Sequence, residues 1–161
     1  MLAPPPKIKE LPAGTQLVAG MGTATVLPDM DFETYSEAGF EWDGLLRKWQ
    51  ALPGAVSNKK GLGVVGAAVY AQHPSTEVLC FSYDLKDGHG VRFWMPGLKP
   101  PQDLFDHLAR GGLIEAHNSG FEWWIWNFVC VPRYGWPPLA IESLRCSMAK
   151  ARAFSLPGKL A

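Results

Sequence analysis

The sequence predicts an α/β domain built on a mixed sheet flanked by helices. With 161 residues, of which 47% are hydrophobic, the chain suits one globular domain with a real core. Segments of strand character come first, and helical and strand segments alternate afterwards. Proline and glycine separate most of these segments, which marks the turns between them.

The N-terminal stretch, residues 1–22, is predicted to be a flexible extension. Its Pro4-Pro5-Pro6 run excludes a helix, and glycines follow it. Residues 23–161 are predicted to form the folded domain. The formal net charge is zero, with 15 basic and 15 acidic residues, which argues against a protein that holds nucleic acid by bulk electrostatics alone.

The first elements are predicted from apolar runs and their breakers. A strand is expected over residues 23–34, or only after Pro28, because proline lacks the N–H that a sheet ladder needs. The spacing of Leu45, Leu46 and Trp49 predicts a short helix over residues 41–51. The small apolar residues of 63–71 favour a strand.

In the second half of the chain, proline, glycine and turn residues mark the element boundaries more clearly. Residues 77–84 and 90–95 are predicted to form a hairpin. Pro100-Pro101 begins a helix that ends near residue 110, before Gly111-Gly112. The remaining predicted elements are a strand over 113–117, a helix over 119–129, a loop over 132–138 and a helix over 142–154.

The cysteines and the hydropathy indicate the compartment. Cys80, Cys130 and Cys146 are odd in number and far apart, and they form no zinc-binding pattern. Reduced thiols of an intracellular protein are therefore expected. Neither a signal peptide nor an apolar run of membrane-spanning length is apparent, so a cytoplasmic protein with no membrane partner is predicted.

Asp31 and Glu33 form the first candidate site, at the end of an apolar run. Strand alternation places both on one face and Met30 and Phe32 on the other, where they can pack in a core. Two adjacent carboxylates repel each other unless a cation lies between them. A hard divalent ion satisfies this need, although two solvated acids on an edge strand are the plainer interpretation.

The second candidate motif is His117-Asn118-x-x-Phe121-Glu122, where a short strand turns into a helix. Glu122 falls in the first helical turn. An acid is favoured there by the helix dipole alone, with Asn118 or Ser119 as the cap. If Glu122 instead converges with the first pair, three carboxylates meet, as two-metal phosphodiester hydrolysis requires.

Together the two motifs resemble the 3′-5′ exonuclease domain of bacteriophage family A (polymerase I-like) DNA polymerases, in the DEDD (DnaQ-like) superfamily. Asp31-Phe32-Glu33-Thr34 is similar to its first motif, and His117-Asn118-x-x-Phe121-Glu122 to its second, in the phage variant with Glu. The stretches 70–80 and 146–153 and Leu156-Pro157-Gly158 also resemble this group. The resemblance runs from about residue 28 to residue 161.

The resemblance implies an RNase H-like fold and an Mg²⁺ or Mn²⁺ site. Asp31 would bridge two ions, Glu33 would bind the water-activating ion, and Glu122 would hold the other. The implied substrate is the single-stranded 3′ end of DNA. Candidate substrate contacts are Asn118, Thr34, Phe32 and Tyr35. Of the two aromatic residues Tyr35 is the better candidate, since strand alternation points Phe32 away from the carboxylates.

The chain departs from the family pattern at its third motif. That motif supplies a fourth carboxylate and a Tyr or His, and it lies beyond the equivalent of Ala161. Glu142 lacks its spacing and setting. The domain is therefore expected to be incomplete at its C-terminus and weak or inactive alone, with a separate chain carrying the rest of a polymerase as a possible partner. The alternatives are a catalytically silent DNA-binding or structural subunit, and an unrelated α/β protein with coincidental acids.

Overall fold

A mixed five-stranded sheet organises the molecule. A computed structural model describes residues 26–51 and 61–158. The strands are β1 (Asp29–Tyr35), β2 (Phe40–Asp43), β3 (Lys48–Ala51), β4 (Glu77–Asp84), β5 (Arg92–Trp94), β6 (Ile114–Ala116) and β7 (Leu144–Cys146). The helices are α1 (Leu62–Gln72), α2 (Gln102–Ala109), α3 (Ser119–Ile125), α4 (Val131–Tyr134) and α5 (Ser147–Ala153).

The sheet order is β5-β4-β1-β6-β7. Strands β1, β4 and β5 pair antiparallel, and β6 and β7 continue the sheet in parallel with β1. The predicted α/β class with a mixed sheet is confirmed, and β1 is its central strand. The predicted extension over residues 1–22 lies outside the described residues.

Several predicted boundaries are confirmed. Strand β1 begins directly after Pro28, whose carbonyl accepts a hydrogen bond from the Glu115 N–H at 2.7 Å. The predicted hairpin is the β4–β5 pair. Helix α2 begins after Pro101, and its buried face contains Leu104 and Phe105.

The predicted helix over residues 41–51 is wrong, because this segment is the two-stranded hairpin β2–β3. Its turn includes Arg47 at φ 49°. Leu45 and Leu46, two of the residues that suggested a helix, are 96% and 59% exposed at that turn. Cross-strand pairing replaced helical periodicity here.

The predicted strand over residues 63–71 is also wrong. The segment forms helix α1, which is kinked at Gly66 (φ 77°, ψ 165°) and buries Tyr70 and Ala71. Helix α1 packs on α3. Its small apolar residues show no period-two alternation, and contact with α3 decides for a helix.

The predicted helix over residues 142–154 divides into a 3₁₀ turn (Ile141–Ser143), a strand and a helix. Leu144–Cys146 forms β7, which pairs with β6, and only then does α5 begin. These three residues join the sheet because they can pair in parallel with the edge of β6. The predicted loop over 132–138 begins later than expected, because α4 extends to Tyr134.

The core lies on one face of the sheet and is aromatic. Phe32 and Phe81, paired across β1 and β4, lie 4.4 Å apart between ring centroids, with their planes tilted by 34°. Trp126 packs edge-on against both rings, and Trp136 packs edge-on against Phe81 and, at 4.8 Å, against Trp126. Trp126 is fully buried. The packed rings fix the orientation of β1, and with it the direction of its outward side chains.

A π-helical turn, Trp126–Cys130, interrupts the helical stretch between α3 and α4. Pro132 follows two residues later and lacks the N–H for an ordinary helical bond, which explains the shift in hydrogen bonding. The wider turn brings Trp126, Val129 and Cys130 into the core.

Candidate functional site

Strand β1 presents Asp31 and Glu33 on the face opposite the core. Both side chains are exposed, while Met30 and Phe32 are 4% and 5% exposed. The predicted alternation is confirmed. The pairing register with β4 shifts between Glu33 and Thr34, a bulge of the kind that re-aims side chains near functional sites.

Glu122 is the buried member of the acidic group. It lies in the first turn of α3, which packs against β1, and is only 2% exposed. Its carboxylate accepts a hydrogen bond from the backbone N–H of Phe32. The other oxygen, Oε2, is buried without a hydrogen-bond partner. The hydrogen bond to Phe32 places this acid beside the first motif.

The three carboxyl groups influence one another electrostatically. Burial first, and then the charges of Asp31 and Glu33, raise the pKa of Glu122 to about 8 against the opposing Phe32 hydrogen bond. Burial and the Glu33 charge also raise the pKa of Asp31, which His117 partly offsets. The group therefore holds negative charge at a cost that a cation would relieve.

The donors suit Mg²⁺ or Mn²⁺ in their chemistry, because carboxylate oxygens are the ligands these ions prefer. The unpartnered Oε2 of Glu122 supports the same fit. Across the described ranges 26–51 and 61–158, no three His, Cys, Asp or Glu side chains are gathered closely enough to hold one ion as they stand. Binding would have to draw the exposed Asp31 and Glu33 toward Glu122.

The nearby lysines do not neutralise this group. Lys86 binds Asp29 at 2.7 Å and Asp84 at 3.1 Å, and Lys150 pairs with Glu115. Among the described residues, neither Asp31 nor Glu33 makes an ion pair. Side chains of the described residues therefore do not balance the negative charge of Asp31 and Glu33.

His117 closes one side of the site. Its Nε2 donates to the carbonyl of Gly158 at 3.2 Å, and its Nδ1 lies 3.1 Å from the Ser147 hydroxyl. Both ring nitrogens are thus occupied by protein partners. The histidine joins the end of β6 to the start of α5 and to the C-terminal segment, and it acts on Asp31 through its charge.

The candidate substrate residues occupy different environments. Tyr35 is 49% exposed, and its hydroxyl donates to Glu37. Thr34 is half-buried, with its hydroxyl 3.1 Å from that of Tyr70. Phe32 lies in the core, so it is not available to a nucleotide. Asn118 is the residue before α3 in the left-handed conformation (φ 62°, ψ 48°), and its side chain does not cap the helix.

Cys146 also lies beside the site, which its isolated position in the sequence did not indicate. Burial tends to raise its thiol pKa, but hydrogen bonds from Ala149, Ser119 and Asn118 outweigh burial and lower it. These donors belong to the first turns of α5 and α3 and to the residue before α3. The sulfur thereby connects the segment that carries Glu122 to the segment after β7.

A depression of about 390 Å³ lies next to Asp31 on the outer face of the sheet. Its lining includes Ser82, Val91, Glu115, His117 and Ser147. The sequence indicated the outward position of Glu115, because this residue alternates with the buried Ile114 and Ala116. Only the strand order, however, brings β4, β1 and β6 side by side.

In the described part of the chain, no helix is both long and apolar enough to cross a membrane. The sequence matches no protein-family model, and no curated protein or solved structure is significantly similar to it. What the chain does must therefore be argued from the site and from its motifs.

Proposed function

We propose that the chain is a 3′-5′ exonuclease domain, or the N-terminal part of one, from a phage-type DNA polymerase. It would act in the cytoplasm on the single-stranded 3′ end of DNA, as a proofreading nuclease does, with Mg²⁺ or Mn²⁺ as cofactor. One observation carries the proposal: the buried Glu122 carboxyl, with an unpartnered oxygen, beside Asp31 and Glu33.

A folded protein gains no stability from this arrangement. Burying a carboxyl group without full hydrogen bonding costs about 1–3 kcal/mol by mutational data, and neighbouring like charges add to the cost. Strongly perturbed carboxyl groups cluster at functional sites, where such costs serve chemistry. A purely structural acid at a helix start would sit exposed near the dipole, whereas Glu122 is 2% exposed.

The fold agrees with the family that the motifs resemble. Asp31 and Glu33 lie on the central strand of a mixed sheet, in which an antiparallel meander continues into two parallel strands. Glu122 comes from the helix that follows β6, the strand next to β1. This arrangement supports the RNase H-like fold that the resemblance implies.

Each acid has a defined part in the proposed reaction. Asp31, Glu33 and Glu122 would hold the ions, which when bound supply charge stabilisation for the attacking and leaving oxygens of the phosphodiester. Tyr35, exposed at the end of β1, can stack on an unpaired terminal base. Asn118 precedes Glu122 with its side chain not engaged in capping, and could contact the substrate strand.

The second candidate function is a catalytically silent subunit that binds DNA or docks on a polymerase chain. The observation that favours it is that no suitable fourth acid accompanies the other three. After Glu122 the chain has only Glu142, which is exposed on a 3₁₀ turn before β7. The described residues hold no ready group of three metal ligands. Activity completed by another polypeptide remains compatible with the intact acids.

Manganese binding separates the two candidates. We expect the purified chain to reduce the free Mn²⁺ signal in electron paramagnetic resonance, and expect Glu122→Gln to weaken that binding by about tenfold or more. Glu142→Gln removes an exposed acid outside the group and should leave binding unchanged. If Glu122→Gln leaves the affinity for Mn²⁺ unchanged, or if the parent does not bind millimolar Mn²⁺, the exonuclease proposal is refuted and the silent subunit is favoured.

A further inference from the structure

We propose that the outer face of strands β5, β4 and β1, whose apolar side chains are exposed, docks an amphipathic helix of a second polypeptide that carries Lys or Arg beside its apolar stripe. The inference gives the partner a chemistry and goes beyond the proposed function. It concerns the metal-free chain, because ions bound at Asp31 and Glu33 would neutralise the charge that a basic side chain recognises. It stands on the register of the sheet, on the exposed apolar residues of that face and on its unbalanced charge.

The register defines the outer face residue by residue. Phe93 of β5 lies opposite Ser82 of β4, which lies opposite Asp31 of β1. These three residues form one row across the sheet, about 10 Å from end to end at ordinary strand spacing. The next row places Glu33 beside Cys80. Phe32 and Phe81, between the rows, point to the core.

Part of this face is apolar and open to solvent. Phe93 is 66% exposed, Val91 72% and Leu79 53%. Tyr35, 49% exposed, extends the apolar area along β1. Exposed apolar side chains that cluster on one face mark interaction sites.

The same face carries uncompensated negative charge among its apolar residues, since Glu77 of β4 lies opposite Tyr35. Among the described residues Asp31, Glu33 and Glu77 make no ion pair. The row at the end of β1 is acidic as well, although Asp29 and Glu115 there have lysine partners. The depression beside Asp31, about 390 Å³, is large enough to admit one long side chain. A lysine or arginine fits this opening by charge and by shape.

Charge complementarity selects this occupant over others. A second copy of the chain would bring the same acids against each other, which is repulsive at a symmetric interface. Nucleic acid alone would place its phosphates against the same carboxylates. An amphipathic helix with basic flanks buries Phe93 and Val91 and neutralises Asp31 and Glu33 together.

The test uses two designed helical peptides of about 18 residues, long enough to span the sheet. Both carry the same leucine stripe, flanked by Lys in one and by Glu in the other. Fluorescence anisotropy with the full chain is measured in EDTA, so that metal cannot contribute. We expect the Lys peptide to bind at least about tenfold more tightly than the Glu peptide. Its affinity should fall as the salt concentration rises from about 50 mM to 200 mM.

Variants locate the binding. Phe93→Ala should weaken binding of the Lys peptide by about tenfold. The matched control, Val69→Ala, removes a similarly exposed apolar side chain from α1 and should leave binding unchanged. Equal affinity for both peptides, or insensitivity to Phe93→Ala, would overturn the proposal. So would a dimer in sedimentation that Phe93→Ala dissociates, or single-stranded DNA bound through Phe93. Mn²⁺ binding, measured separately, can fail without affecting these results.

Discussion

At alkaline pH, replacing Glu122 with glutamine should stabilise the folded protein, although substitutions in a core usually destabilise it. The pKa of Glu122 in the folded protein is about 8, against an ordinary value of 4.5. The folded state therefore binds more protons than the unfolded state between these values. By linkage, its free energy of unfolding falls as pH rises through that interval.

The magnitude follows from the interval. Each pH unit within it costs about 1.4 kcal/mol, so the fully ionised group removes on the order of 5 kcal/mol of stability at most. The glutamine side chain keeps the shape of the neutral acid and cannot ionise. We expect Glu122→Gln to match the parent near pH 5 and to exceed it by several kcal/mol near pH 8.

Urea unfolding in EDTA, monitored by tryptophan fluorescence across this pH range, measures the effect. Glu142→Gln provides the matched control, because it changes an exposed acid and should leave the pH profile parallel to that of the parent. Parallel profiles for Glu122→Gln and the parent would refute the reasoning, since they would mean that Glu122 titrates normally in the folded state.

Four further results are expected. Millimolar Mn²⁺ should raise the melting temperature of the parent, and Asp31→Ala should abolish the rise in a thermal shift assay. The purified chain should digest single-stranded DNA weakly or not at all, because the described residues hold no ready group of three metal ligands; robust 3′ digestion that Glu33→Ala removes would contradict this. Phe81→Ala should cost about 3–5 kcal/mol in urea unfolding. By the same measurement Asn118→Gly should keep the stability of the parent, whereas Asn118→Val should lose about 1–2 kcal/mol, because φ is 62° there.

The sequence predicted the elements whose signals are local. Pro101 and the Gly111-Gly112 pair bound α2, and alternating residues gave β4 without error. The acids could be placed for the same reason, since strand period and helix start are local properties. The proximity of Glu122 to Asp31 depends on the strand order, in which β6 lies next to β1, and the sequence did not predict that order.

The failed predictions concern segments whose partners decide their structure. Leu144–Cys146 has no strong strand signal and becomes β7 because β6 offers a parallel edge. Residues 63–71 are small and apolar, which suits a strand or a helix, and contact with α3 selects the helix. The hairpin β2–β3 forms where a three-residue apolar pattern suggested a helix. In each case tertiary contact overrides weak local preference.

The burial of Glu122 is what the sequence could not give, and it links stability to function in this molecule. The aromatic core fixes β1, and with it the backbone positions of Asp31 and Glu33. Helix α3 is held by the same core through Ile125 and the following Trp126, both fully buried. The burial that raises the pKa of Glu122 is therefore built into the packing, and ionising this group has a free-energy cost. A cation, or a basic side chain from a partner, would lower this cost, so binding and folding should be coupled at this point.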